Sequence, residues 1–242
     1  MTMIFPGFRN ETSGMSEAGK PLFVAGNPKN GFGGDASPKR RGFYRNGLKR
    51  VLDVAAIVMA APVVVPVVVI LAALVARRGG SPFYTQMRVG RGGKPFRMWK
   101  LRSMVCDADA RMEAYLASNL QARQEWDSTQ KLRNDPRITS FGQFLRRSSL
   151  DELPQLWNVF RGDMSLVGPR PMMISQQVMY PGTAYYALRP GITGYWQTAG
   201  RSRTTFEARA AFDNDYERDL SFGVDLKLLA RTIGVVMNCT GV

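Results

Sequence analysis

Two adjacent carboxylates, Asp151 and Glu152, stand in the run Ser149-Leu150-Asp151-Glu152-Leu153-Pro154. Read as a capping box, Ser149 is the N-cap and Glu152 its partner at the third helical position. That register puts Pro154 at the fifth helical position, where it forfeits a backbone bond and strains the turn. A helix beginning at about Leu150 or Asp151 avoids the conflict. Asp151 then lies where unpaired backbone donors and the positive dipole end favour an ionised carboxylate and a nearby phosphate. A nucleophilic or metal-binding carboxylate is the chemistry this position offers; an ordinary cap is the alternative.

Downstream, Gly168-Pro169-Arg170-Pro171 fixes the backbone on both sides of one arginine. This lowers the entropy lost when the guanidinium grips a planar anion, although a rigid turn with a solvated Arg reads equally well. Arg137, after Asn134-Asp135-Pro136, and Arg201, after Gly200, are mounted on turns in the same way. Lys100, Arg102, Arg146 and Arg147 read as a basic surface facing a membrane. Tyr195-Trp196 reads as an interfacial anchor or core. Asp213 and Tyr216, three apart, share a helix face, as a site pair or as a surface Asp beside a packed Tyr. The 242-residue chain has no histidine, which excludes Ser-His-Asp triads, His-ligated zinc and His bases. Its two cysteines, Cys106 and Cys239, have no metal-ligand spacing and fit a reducing compartment.

These residues need elements to hold them. Residues 1–44 are rich in Gly, Ser, Asn and Pro, without helical or strand period, and read as a disordered cytoplasmic tail rather than a signal peptide. Val54 to Ala76 is apolar throughout and long enough to cross a bilayer. Lys49-Arg50 precede it and Arg77-Arg78 follow it, so both ends carry the charge expected on the cytoplasmic side. Pro62 and Pro66 sit at its middle. A re-entrant helix-break-helix over 45–78 satisfies these features; one kinked transmembrane span is the alternative. Residues 81–103 read as two extended pieces around Gly90-Arg91-Gly92-Gly93. The spacing predicts a helix from Asp107 to about Thr129 with Met112, Tyr115, Leu116 and Leu120 on one side. A short helix with Phe141, Phe144 and Leu145, a helix over 151–160, a tight loop from Gly162 to Pro171 and a loop-rich stretch from Pro181 to Arg203 follow. Two helices from about Phe206 to Val236 end the chain. The fold expected from these elements is α-dominated with little β. A net charge of +14 points to a polyanionic partner. Nucleic acid is not expected, since no reading motif is present and the apolar segment would be unexplained.

Lys49-Arg50-Val51-Leu52-Asp53, the Pro-broken apolar segment, Lys100-Leu101-Arg102-Ser103-Met104, Asn134-Asp135-Pro136-Arg137-Ile138-Thr139, Leu150-Asp151-Glu152-Leu153-Pro154-Gln155, Arg161-Gly162-Asp163-Met164-Ser165, Gly168-Pro169-Arg170-Pro171 and Arg189-Pro190-Gly191-Ile192-Thr193-Gly194 occur in one fixed order. From about residue 47 to the C-terminus the chain thereby resembles the bacterial sugar transferases, the monotopic phosphoglycosyl transferases that begin exopolysaccharide and related glycan assembly. The resemblance implies a re-entrant membrane helix, Mg²⁺, and transfer of a hexose-1-phosphate from a UDP-sugar to undecaprenyl phosphate with release of UMP. It implies Asp151 as the nucleophile that becomes a sugar-phosphoryl ester and, with Glu152, a metal ligand. Arg170 is expected on phosphate, and Lys100, Arg137, Arg201, Asp213 and Tyr216 at the substrates. The resemblance also implies that 79–242 is a cytoplasmic catalytic domain bearing membrane-interfacial amphipathic helices. The setting implied is the cytoplasmic face of the bacterial inner membrane, on anionic lipid. Self-association and contacts with downstream glycosyltransferases are open. A membrane-anchored, non-enzymatic scaffold of a polysaccharide assembly complex is the alternative function. Ala61, where the family commonly has Ser before Pro62, and Phe206, in place of a frequent Trp, are departures.

Overall fold

In the computed structural model, which describes residues 42–129, 132–200, 206 and 208–237, Lys49–Ala76 forms one helix, α1. It is long and apolar enough to cross a bilayer by length and composition. The break expected at Pro62 is not a loss of helical backbone, because the helix runs through both Pro62 and Pro66. Each proline removes a donor from the turn before it, but both sit on the exposed side of α1, where no core contact is lost. The opposite side packs: Leu71 and Val75 are buried and Ile57, Val67 and Ala72 lie against core clusters. Val58, Met59, Val63, Val65, Val69 and Ile70 remain exposed.

The two extended pieces form an antiparallel hairpin, β1 (Phe83–Val89) and β2 (Pro95–Leu101), in register from Phe83↔Leu101 to Val89↔Pro95. The helix expected over 107–129 is instead two, α2 (Ala108–Ser118) and α3 (Leu120–Thr129). Asn119 separates them in an extended conformation, and its Oδ1 accepts from the Ala122 N–H at 2.9 Å, capping α3. The break turns Leu120 out of the expected apolar side, leaving it 74% exposed. Next come α4 (Ser140–Arg147), capped by Thr139 Oγ1 on the Gly142 N–H at 2.9 Å, and α5 (Gln155–Arg161).

The segment expected as a tight loop contains a strand, β3 (Ser165–Val167). It pairs in parallel with β4 (Gly191–Thr193), which follows the short helix α6 (Ala184–Ala187). Backbone meets backbone here: a Cβ on Gly191 would collide with the Gly168 nitrogen, and one on Gly194 with the Gly168 oxygen. The Gly168-Pro169-Arg170-Pro171 turn is thus clamped onto 191–194, which fixes where Arg170 starts. The chain ends as expected in two helices, α7 (Arg209–Asp219) and α8 (Phe222–Met237). The fold is helix-dominated with little sheet, two two-stranded sheets among the described residues.

Candidate active site

Asp151 lies in a single 3₁₀ turn, Leu150–Glu152, between α4 and α5. Ser149 turns the chain into it in the left-handed region, φ 56°, the one non-glycine residue described with positive φ. Its side chain makes no cap bond, so the capping box is not formed, and Pro154 stands at the N-cap of α5. Leu150 and Leu153 pack on Leu71, Val75, Leu101 and Leu145, which pins the turn to α1, β2 and α4 at once. Alternation along β2 buries Leu101 in that cluster and sends Lys100 to the carboxylates. Lys100 Nζ donates to Glu152 Oε1 at 2.7 Å and lies 3.9 Å from Asp151 Oδ2.

Burial pushes the Asp151 carboxyl above the usual range, and the Glu152 charge adds to this, against the pull of Lys100 and Arg146. Glu152 shifts the other way. Burial alone would raise it, but Lys100 and Arg170 hold it below the usual range. The two adjacent carboxyls are therefore differentiated by the cations around them.

Arg146 is the residue that sequence reasoning missed. Placed on a membrane-facing basic surface with Arg147, it is instead half-buried, its Nε donating to Ser103 Oγ at 2.8 Å, and its charge acts on Asp151. No local pattern announced this: Arg146 follows Gly142 by one turn, and only in the folded chain, where a Cβ on Gly142 would collide with the Ser103 backbone, does this side of α4 face inward. Arg147 is exposed as expected. Arg102 also leaves the basic surface: it donates to the Val75 and Gly79 carbonyls and so caps the end of α1.

Arg170 is exposed and lies near enough to act on Glu152. Arg137 is engaged by Asp135 through Nε and Nη2, at 2.9 and 2.7 Å, and stacks over Trp126. Asp213 and Tyr216 share a buried face of α7 but enter different clusters. Asp213 accepts from Tyr180 at 2.8 Å, its carboxyl pushed up to about 6 by burial, while that hydrogen bond and Arg209 pull it down. Tyr216 donates to Asp225 Oδ1 at 2.7 Å and to the Val167 carbonyl at 3.2 Å, packed with Val167, Leu188 and Leu228. Tyr195 stacks edge-on against Tyr216, and Trp196 lies beneath Arg170 and Arg209. Arg201 lies outside the described residues. The structure thus gathers Lys100, Arg146, Asp151, Glu152 and Arg170, and gives Tyr216 and Arg137 internal partners.

Among the described residues no group of three or more His, Cys, Asp or Glu stands ready as a metal cage. Mg²⁺ is ordinarily held by one or two carboxylates together with substrate phosphates. Asp151, buried and with its carboxyl held above the usual range, and the adjacent Glu152 are the hard oxygen pair that would hold such an ion.

Residues 44–239 match the family model described as bacterial sugar transferase. The chain is 45% identical over 196 residues to the UDP-galactose-lipid carrier transferase of Erwinia amylovora, covering 80% of this chain and 41% of that protein. It is 42% identical over 196 residues to the undecaprenyl-phosphate galactose phosphotransferase of Salmonella typhimurium, again 80% and 41%. To the exopolysaccharide production protein ExoY of Rhizobium meliloti it is 42% identical over 191 residues, 78% of this chain and 84% of that one. The match spans about two fifths of the first two relatives and most of the third. A match of this extent, on a chain whose motifs converge on one carboxylate pair, makes the protein a member of the bacterial sugar transferase family.

Proposed function

We propose that the chain transfers a hexose-1-phosphate from a UDP-sugar to undecaprenyl phosphate, releasing UMP, as the first membrane step of exopolysaccharide or related glycan synthesis. The observation that carries this reading is Asp151, 7% exposed in a turn held by three elements, with Lys100, Arg146 and Arg170 around the pair it forms with Glu152. Relatives named for UDP-galactose and for undecaprenyl-phosphate galactose transfer support the donor and acceptor classes.

Asp151 attacks the donor's β-phosphorus, UMP departs, and a sugar-phosphoryl ester forms on the carboxylate. The lipid phosphate, already an anion near neutral pH, then takes the sugar phosphate without a base, so a site without histidine suffices. The difficulty is to bring carboxylate, diphosphate and lipid phosphate together, and fixed cations address it. Mg²⁺ bound by Asp151 and Glu152 would supply further neutralisation of the phosphate oxygens. Lys100 holds Glu152, and Arg146 and Arg170 complete the positive field.

The same reading places residues 45–78 as a membrane element that enters and leaves on one face and 79–242 as the catalytic part on the cytoplasmic side of the inner membrane. Both ends of α1 dock on one unit, Asp53 on Ser165 at 2.6 Å and Val75 in the cluster with Leu101 and Leu145. A helix carrying one end across the bilayer would lose one of these docks. Incubation of membranes with UDP-sugars, Mg²⁺ and undecaprenyl phosphate tests the function by UMP release. Mass spectrometry after donor alone should find hexose phosphate on Asp151. An Asp151→Asn variant that turned over like the native chain would refute the proposal.

A further inference from the structure

Three guanidinium groups from distant parts of the chain lie near one another: Arg88 of β1, Arg170 of the Gly168–Pro171 turn, and Arg209 at the start of α7. Arg209 lies over the Trp196 ring at 4.8 Å and over the Phe206 ring at 4.9 Å, and Arg170 lies over the same Trp196 at 5.6 Å. Arg209 donates to the Arg170 carbonyl at 3.0 Å, and Arg88 to the Pro171 carbonyl at 3.3 Å and to Gln86. The Arg88 Nε is buried without a hydrogen-bond partner. Among the described residues none of the three forms a salt bridge.

Such an arrangement costs free energy in the absence of an anion. Burial, then the nearness of the other cations, holds the Arg88 and Arg209 guanidiniums below their usual value. The carboxylate that acts on Arg209, Asp213, is itself pushed up to about 6 by burial and offsets the cluster only in part. Two aromatic faces and backbone carbonyls keep the side chains in place, and among the described residues the carboxylates acting on the three guanidiniums are Asp213 on Arg209 and Glu152 on Arg170. A phosphate supplies negative charge with geometry suited to several guanidiniums.

We propose that Arg88, Arg170 and Arg209 form one phosphate cradle used twice, by the nucleotide α-phosphate in the first half-reaction and by the lipid phosphate in the second. This rests on the proposed function. In the first half an Asp151 carboxylate oxygen bonds to the donor β-phosphorus, and the bond from that phosphorus to the bridging oxygen breaks, its electron pair leaving on UMP. In the second half an oxygen of the lipid phosphate bonds to the same phosphorus, and the phosphorus–Asp151 bond breaks, restoring the carboxylate. Each displacement is in line, so leaving and entering groups both stand opposite Asp151. The UMP phosphate and the lipid phosphate therefore occupy the same place in turn. Arg170, close enough to act on Glu152, carries the cradle to that place.

The test uses the full chain in detergent with Mg²⁺, UDP-sugar and undecaprenyl phosphate. With the donor fixed, UMP is expected to inhibit competitively against the lipid phosphate, raising its apparent KM and leaving the maximal rate unchanged. Arg88→Gln and Arg209→Gln, on different elements, should each raise the KM for donor, the KM for lipid and the inhibition constant for UMP together, by about tenfold. Noncompetitive inhibition by UMP in the native chain overturns the shared cradle and needs no variant to fold. A folded variant that shifts one substrate alone, or neither, overturns the residue assignment. Absence of UMP release with every UDP-sugar would instead sink the proposed function itself.

Discussion

Lys100 stands 3.9 Å from Asp151, a separation worth about 4 kcal/mol between unit charges at an effective dielectric of about 20. That is of the order of the several kcal/mol that burying a carboxylate effectively costs, so Lys100 is the largest influence keeping Asp151 ionised, with Arg146 adding to it. Removing Lys100 in Lys100→Met takes away the main influence lowering the Asp151 pKa, which then moves further up. In the proposed mechanism the ionised form attacks, so the acid limb of the rate profile should shift to higher pH. kcat/KM at pH 7 should fall by about tenfold or more. Glu152→Gln removes a raising influence, so its acid limb should shift to lower pH despite the lost activity. Limbs displaced in the same direction in these two variants would refute the electrostatic account. At this scale the sequence was readable in part where local rules conflict: Pro154 was incompatible with a cap at Ser149, and the cap is indeed unformed. The helix, however, starts at Gln155 behind Pro154 and not at about Leu150 or Asp151, which lie in a separate 3₁₀ turn. Arg146 and Arg102 were not readable, because their partners, Ser103 and the end of α1, lie far along the chain.

One turn at the start of α1 holds three different elements. Lys49 Nζ reaches Asp225 of α8 at 2.5 Å, Arg50 donates to the Val159 and Phe160 carbonyls near the end of α5, and Asp53 accepts from Ser165 of β3 at 2.6 Å and from the Leu166 N–H at 3.4 Å. Lys49 and Arg50, read as charges that set topology, also bolt the start of α1 to α8 and α5. Asp53→Leu orphans a buried hydroxyl and weakens a backbone bond, costing about 1–3 kcal/mol. The thermal midpoint in detergent should drop by roughly 5 °C. Ser165→Ala in that background should add little, and full additivity would show that the two side chains do not couple. Elements written in local pattern, the hairpin, α4, α7 and α8, were legible. β3 and β4 were not, being three residues each and formed by a parallel pairing across 26 positions that no local period announces. The break at Asn119 had a signal in the residue itself, an N-cap type set within a helical period.

At the scale of the whole molecule, α1 has 28 residues, about 42 Å of helix, against a hydrocarbon layer of about 30 Å. Length alone would let it cross. Its polar first turn and its buried Leu71 and Val75 are nevertheless held by the same unit, and Arg102 caps its far end from the strand next to Asp151's support. Crossing would require one set of contacts to be given up, which the prolines help avoid by weakening the straight helix at its middle. Exchanging Pro62 and Pro66 for Leu restores two backbone donors and favours the straight, spanning form. Asn46→Cys in a background with Cys106 and Cys239 changed to Ser reports the outcome in intact cells through a membrane-impermeant maleimide. Native prolines should leave the introduced thiol unlabelled, the double variant should label it, and activity should fall in proportion to the labelled fraction. An unlabelled double variant with native turnover would show that the prolines do not determine the face on which α1 ends, and the one-face reading would then rest on the two docks alone.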